Sequence, residues 1–237
     1  MSHETDTRAT HFLLQRCSAF YSWCIQNRYA KENITKFVIL PPRPRKGPPE
    51  FLKLWQVKRI LQKTHEMYPE LVPAMALQLF TGIRTEEMTK VDWAKIKLGE
   101  YIDLDHTKTG VRRVLEFFPS NLVEWLKPYV RPAGRVVPGL FKNKRWWVFK
   151  AATHDDVTGE RLFTFPQNGC RHSFATYAWA YLDSPHKVML MMGHRNLDML
   201  HQHYRNYVSK AEAAEYFSLT PASVLNQPPT VAAPNGA

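Results

Sequence analysis

Gln167-Asn168-Gly169-Cys170-Arg171-His172-Ser173-Phe174-Ala175-Thr176 begins a segment in which Phe174, Ala175, Ala178 and Leu182 recur at helical intervals. The spacing predicts a helix over 167–182 with polar side chains crowded at its start. Downstream, Ser184-Pro185 is a helix start signal, followed by Val188, Met191 and Met192 on one face. A further helix is expected over 197–207. Ser209-Lys210-Ala211-Glu212 reads as a capping box opening a last helix through Phe217. From Pro221 onward no periodicity is visible, so 221–237 is expected to be a disordered tail.

Upstream, helical patterns run over 51–66 and 71–80, until Thr81-Gly82 breaks the second. Thr85 is placed to cap a short helix with Glu86 and Glu87 in its first turn. Residues 101–106 and 111–118 read as two strands around a Thr107-Lys108-Thr109-Gly110 turn. A helix follows over 120–128, and 131–163 reads as loops with short strands. The whole is α+β and mostly helical.

Ahead of this lies a helical stretch within 11–30, with Phe12, Leu13, Phe20, Trp23, Cys24 and Ile25 on mostly helical spacing. Pro41-Pro42-Arg43-Pro44-Arg45-Lys46-Gly47-Pro48-Pro49 then forbids a helix or central strand. It is a proline-stiffened linker. Its three cations, Arg43, Arg45 and Lys46, suit either a strap along a phosphate backbone or plain solvation. The expected organisation is 1–40, a linker at 41–50, a main domain at 51–220 and the tail.

The chain has 237 residues, 44% hydrophobic, enough to bury a sizeable core. No run reaches the ~18 apolar residues of a membrane span, and the polar N-terminus lacks a secretory layout. Cys17, Cys24 and Cys170 are scattered and form no CxxC pair, which fits a reducing compartment and argues against a disulfide framework or zinc site. A cytoplasmic location is therefore expected. The formal net charge of +11 makes a polyanion, nucleic acid first, the partner to consider.

Four short motifs stand in series. Thr81-Gly82-Ile83-Arg84-Thr85-Glu86-Glu87 resembles the first arginine box of the tyrosine recombinases (phage integrases). Lys108 sits in a hairpin turn, where that family keeps a lysine. Gln167 to Thr176, which ends in Arg-His-Ser-Phe-Ala-Thr, resembles the second arginine box. Met192-Gly193-His194-Arg195-Asn196 resembles the box that precedes the nucleophile. Their order is the family's, and the resemblance covers roughly residues 70–208. It implies an integrase-like catalytic domain with a small antiparallel sheet near the active site.

The resemblance also implies roles. Tyr204 would attack the scissile phosphate of double-stranded DNA, with Arg84, Arg171 and His194 on the nonbridging oxygens and Lys108 as general acid. Glu87 would support the first box or the helix start, and His172 would orient the site or accept the tyrosine proton. Neither metal nor cofactor is required, and self-association as a tetramer on DNA is implied. Residues 1–40 would be the remnant of a helical core-binding domain, too short to be complete, so DNA affinity and site specificity should fall. The helix at 209–217 resembles a segment exchanged between protomers; packing on its own chain is the alternative.

There are two departures from the family pattern. Asn168 stands where the second box normally has histidine; an amide still hydrogen-bonds phosphate but carries no charge and shuttles no proton. Tyr204 follows His194 by ten residues where nine is commoner, and one residue turns a helical position by about 100°. Tyr207 is the competing nucleophile. Arg112, Arg113, Lys142, Lys144 and Arg145 are candidates for DNA contact or for a solvated charged face. Two other functions stay open: a catalytically weak DNA-binding module that keeps the fold, and a type IB topoisomerase-like enzyme.

Overall fold

Residues 3–40, 42, 50–104, 112–193 and 208–226 are described by the computed structural model. Lys108, His194, Tyr204, Tyr207, Arg43, Arg45, Lys46 and the helix expected over 197–207 lie outside them. The chain divides into two units, Met1–Gly47 and Pro48–Ala237.

The first unit is one long helix, α1 (His3–Gln26), packed against a single 3₁₀ turn at Ile34–Phe37. Asn33 holds the two together. Its Oδ1 accepts from Thr35 N (3.1 Å) and its Nδ2 donates to Ser18 O (3.1 Å). Helix α1 starts earlier than the sequence indicated. Of the apolar residues on that helical spacing, Cys24 is buried while Phe12, Leu13, Phe20, Trp23 and Ile25 are exposed.

The second unit is built around α3 (Val72–Thr81), all ten of whose residues are buried. A helix apolar all round must be surrounded. It packs against α2 (Leu54–Met67), α5 (Ser120–Leu126) and α7 (Gly169–Leu182). Between α3 and α5 the chain forms the short helix α4 (Thr85–Met88) and an antiparallel sheet in the order β1-β2-β3. Its strands are β1 (Ile96–Lys97), β2 (Tyr101–Leu104) and β3 (Arg113–Leu115). The register pairs Leu104 with Arg113 and Ile102 with Leu115. The fold is thus α+β, mostly helical, with one small sheet.

The structure corrects the sequence reading at three places. Residues 131–163, read as loops and short strands, contain α6 (Phe141–Ala152). Its buried residues Phe141, Val148, Phe149 and Ala152 follow helical spacing. It starts without a side-chain cap, from Leu140 in the left-handed region, so no start signal is visible. The segment from Pro221, read as disordered, opens with α10 (Pro221–Leu225). Thr220 caps it, Val224 is fully buried, and Gln62 Nε2 donates to Val224 O (2.9 Å). Thr85 is not the cap of α4; Arg84 stands there, and the Glu87 carboxylate accepts from the Arg84 backbone N–H (3.1 Å).

Helix α8 (Pro185–Met192) starts at its Ser184 cap, and α9 (Lys210–Phe217) starts at the Ser209 box. In this single chain α9 lies on its own α7. Tyr216 stacks on Tyr177 (4.1 Å, 7°) and its hydroxyl donates to Leu79 O (2.5 Å).

Candidate functional site

Helix α3 cannot continue past Gly82, which adopts a left-handed conformation (φ 66°). Glycine is required there twice over. A Cβ would strain the backbone, and it would lie 2.5 Å from Phe174 Cδ1 and 3.1 Å from Met192 Sδ. Its absence lets α7 and α8 close onto the end of α3. Arg84 follows two residues later, at the entrance to α4.

Arg171 lies in the first turn of α7 and is nine-tenths buried. That turn is pinned at its back. Leu52 N donates to Ser173 Oγ (2.7 Å), and Tyr177 OH donates to Leu52 O (3.1 Å). From this fixed base Arg171 Nη1 donates to Gly82 O (2.6 Å) and Nη2 to Met192 O. Arg84 Nη2 reaches the same Met192 carbonyl (3.2 Å) and Gly193 O (3.4 Å).

The shared carbonyl belongs to the last residue of α8. Terminal helix carbonyls lack intrahelical partners, and the helix dipole places negative charge there. Two guanidinium groups gathered on that end satisfy both demands. The two arginine boxes and the start of the third box therefore meet at one point.

Glu87 organises the other side. Its carboxylate is almost completely buried and bridges Arg84 Nη1 (2.7 Å) and Arg113 Nη2 (2.8 Å). Burial alone would raise this carboxyl. Arg113 foremost, then Arg84, hold it below the usual carboxylate range. Arg113 is itself lowered, chiefly by burial and further by repulsion from Arg84, with Glu87 opposing. A guanidinium starts high enough to stay charged through such a shift. Among the described residues, two guanidinium groups thus hold one carboxylate, a third (Arg171) joins Arg84 on the Met192 carbonyl, and the cluster carries excess positive charge.

Asn168 is exposed and sits at the N-cap of α7 in the left-handed region (φ 57°). Asparagine tolerates this conformation better than most residues, which accounts for the residue type in backbone terms. His172 is half-buried on the next turn position, its backbone carbonyl accepting from Thr176 Oγ1 (2.9 Å).

The other candidate cations divide. Arg113, expected as a DNA contact or on a solvated charged face, points inward. Successive strand residues face opposite sides, so Arg112 is exposed and pairs with Asp103 (3.0 and 2.5 Å) while Arg113 is not. Arg145 also turns inward, its guanidinium over the Phe149 ring (4.3 Å) and beside the buried Cys170. Lys142 pairs with Glu86 (2.9 Å), and Lys144 pairs with Glu70 (2.6 Å) above the Tyr68 ring. Sequence reasoning took Arg113 for a DNA contact or a solvated charge and gave Gly82 and Gly193 no role in the site beyond membership of their motifs; strand alternation was the available signal for Arg113.

Among the described residues no helix is long and apolar enough to cross a membrane, and no three His, Cys, Asp or Glu side chains form a metal-ligating group. The phage integrase family model matches residues 50–210. No curated protein matches the chain. The fold is similar to that of lambda integrase in a dimer bound to a COC′ core site, at 16% identity and a TM-score of 0.65 over 86% of this chain and 62% of that one. This chain therefore spans less than two thirds of that protein's length. It is also similar to lambda integrase in a tetramer bound to a Holliday junction (16% identity, TM-score 0.63, 80% of this chain, 57% of that one). The catalytic domain of bacteriophage HP1 integrase is covered over 99% of its length by 76% of this chain, at 19% identity and a TM-score of 0.52.

Proposed function

This chain is a member of the phage integrase family, and from that premise we propose that it is a site-specific DNA recombinase that cuts and rejoins strands through a phosphotyrosyl intermediate at Tyr204. The observation that carries the reading is the convergence of Arg84 and Arg171 on the Met192 carbonyl, two residues before His194.

In this reading the Tyr204 oxygen attacks the scissile phosphorus in line. The bond to the 5′-oxygen breaks, and that oxygen takes a proton from Lys108. The products are a 3′-phosphotyrosyl link and a free 5′-hydroxyl. The phosphodiester energy is kept in the covalent link, so rejoining needs no separate energy source. Arg84 and Arg171 hold the nonbridging oxygens, where guanidinium forks match the geometry and act most strongly on charge developing in the transition state. His194 donates a further hydrogen bond. A phenol ordinarily loses its proton near pH ~10, and neighbouring guanidinium groups favour the phenolate. His172 is placed one position from Arg171 to orient the site or take that proton. Asn168 contributes an uncharged amide donor.

Double-stranded DNA is the proposed partner, with the net charge of +11 supplying attraction. The related lambda integrase occurs as a dimer and as a tetramer on DNA; for this chain, a monomer that assembles into a tetramer on DNA is proposed. Residues 51–220 would be the catalytic domain, 1–40 would belong to a helical core-binding region, and 41–50 would be a basic linker whose Arg43, Arg45 and Lys46 follow the phosphate backbone. Arg112, Lys142 and Lys144 are proposed as further phosphate contacts. A cytoplasmic location accords with work on DNA.

A suicide substrate tests the reading. A nicked duplex from which the short 5′-hydroxyl strand diffuses away should trap a covalent protein–DNA adduct, and Tyr204→Phe should abolish it. A second reading, a DNA-binding module with little cleavage activity, is favoured by the uncharged Asn168. DNA binding with no adduct from the intact chain would select it.

A further inference from the structure

Arg113 lies on β3, outside the four motifs, and its guanidinium occupies a defined slot between two parts of the site. On one side Nη2 holds the buried Glu87 carboxylate (2.8 Å), which in turn holds both the side chain and the backbone N–H of Arg84. On the other side the guanidinium fills the space where a side chain on Gly193 would begin: a Cβ there would sit against Nη1 and 3.3 Å from Cζ. Gly193 has φ 59° and directly precedes His194. Arg113 Nε and Nη1 are buried with no hydrogen-bond partner among the described residues. A desolvated donor pair left unpaired is costly, so the position needs a reason beyond local stability.

We propose that Arg113 is a positioning residue for strand cleavage, fixing Arg84 through Glu87 and the turn into His194 through Gly193. The proposal rests on the recombinase reading of the site. Arg113 does not touch the phosphate in this account. It sets where two groups that do would stand, and a misplacement of about 1 Å in such groups costs on the order of 100-fold in rate. It also adds a third fixed cation to the cluster, at a site where Asn168 brings none.

The test compares Arg113→Met, Arg113→Lys and the double variant Glu87→Gln/Arg113→Met with the wild type. The double variant avoids a half-paired buried carboxylate should Arg113→Met fail to fold. Single-turnover cleavage of the nicked duplex, DNA affinity, thermal melting and crystal structures are measured together. Arg113→Met and the double variant should cleave about 100-fold more slowly at near-normal DNA affinity, with partial rescue in Arg113→Lys. Arg84 should leave the Met192 carbonyl in the crystals.

A pH profile adds a readout that mere loss of stability would not move. The groups facing Glu87 are Arg84 and Arg113, with Lys90, Asp92, Lys95 and Asp103 lining the cavity beside it. Removing Arg113 removes the largest influence holding Glu87 down, so the acid limb of cleavage should move to higher pH in Arg113→Met. Wild-type cleavage rates in folded Arg113→Met or in the folded double variant overturn the proposal. An unmoved Arg84 and Gly193 in those crystals also overturns it, and does so whether or not the wild type cleaves. Absence of any wild-type adduct instead overturns the recombinase reading.

Discussion

Two groups of cations in this chain are built differently. At Glu87 and the Met192 carbonyl, three guanidinium groups are held by a buried carboxylate (Arg84 and Arg113) and by backbone carbonyls at the ends of α3 and α8 (Arg84 and Arg171). On α6, Lys142 and Lys144 pair with Glu86 and Glu70 near the surface; the Lys142–Glu86 side chains are 59% and 74% exposed. In the sequence the first group is scattered over three segments, whereas the second lies within one short basic stretch. The difference lies in what fixes them: charge on α6 is exposed and acts in many directions, whereas charge at Glu87 has one geometry.

The largest expected effect comes from removing the organiser. Glu87→Ala leaves Arg84 and Arg113 facing each other in a buried setting, and such breakage costs about 3–5 kcal/mol. Glu86→Ala, one residue away, should cost less than about 1 kcal/mol, since exposed pairs contribute little. Urea denaturation of both variants sharpens the contrast; similar losses would erase it. Gly82→Ala should come next, at more than about 1 kcal/mol, because both the left-handed backbone and Phe174 oppose the new methyl.

Acid gives a graded version of the same contrast. Glu87 is held below its ordinary value in the folded chain, so its contribution is fully present above the unfolded carboxyl value of about 4.3. It is lost as pH falls from there through the lower folded value. The stability gap between wild type and Glu87→Gln should therefore narrow on acidification below about pH 4.3; a gap that widens would contradict the assignment. The smallest effect is expected from Lys142→Ala, which should leave stability within about 1 kcal/mol and weaken DNA binding more at low salt than at high salt.

Much of this was legible beforehand. Ser184, Ser209 and Gly82 punctuate the helices because capping chemistry is local, and the apolar spacing of α3 and α7 needs only the helical period. The arginine boxes were visible as short motifs. What stayed hidden depends on tertiary placement. Helix α6 begins at an uncapped left-handed Leu140 and carries Trp146 and Trp147 on its exposed face, which obscures its buried stripe. Helix α10 buries a single Val224, too little to make a period. Arg112 and Arg113 differ in sequence only through strand alternation, which puts Arg113 on the face of Leu115, and the packing of β3 makes that face the buried one.

The account turns on Arg84 and Arg171 acting on the nonbridging oxygens of one phosphate. A duplex carrying a methylphosphonate at the scissile position removes that negative charge. Cleavage rates for wild type and Arg171→Ala are then compared on normal and neutral linkages. The account predicts a gap of about 100-fold or more on the normal linkage that shrinks at least about tenfold on the neutral one. An equal gap on both linkages would contradict it.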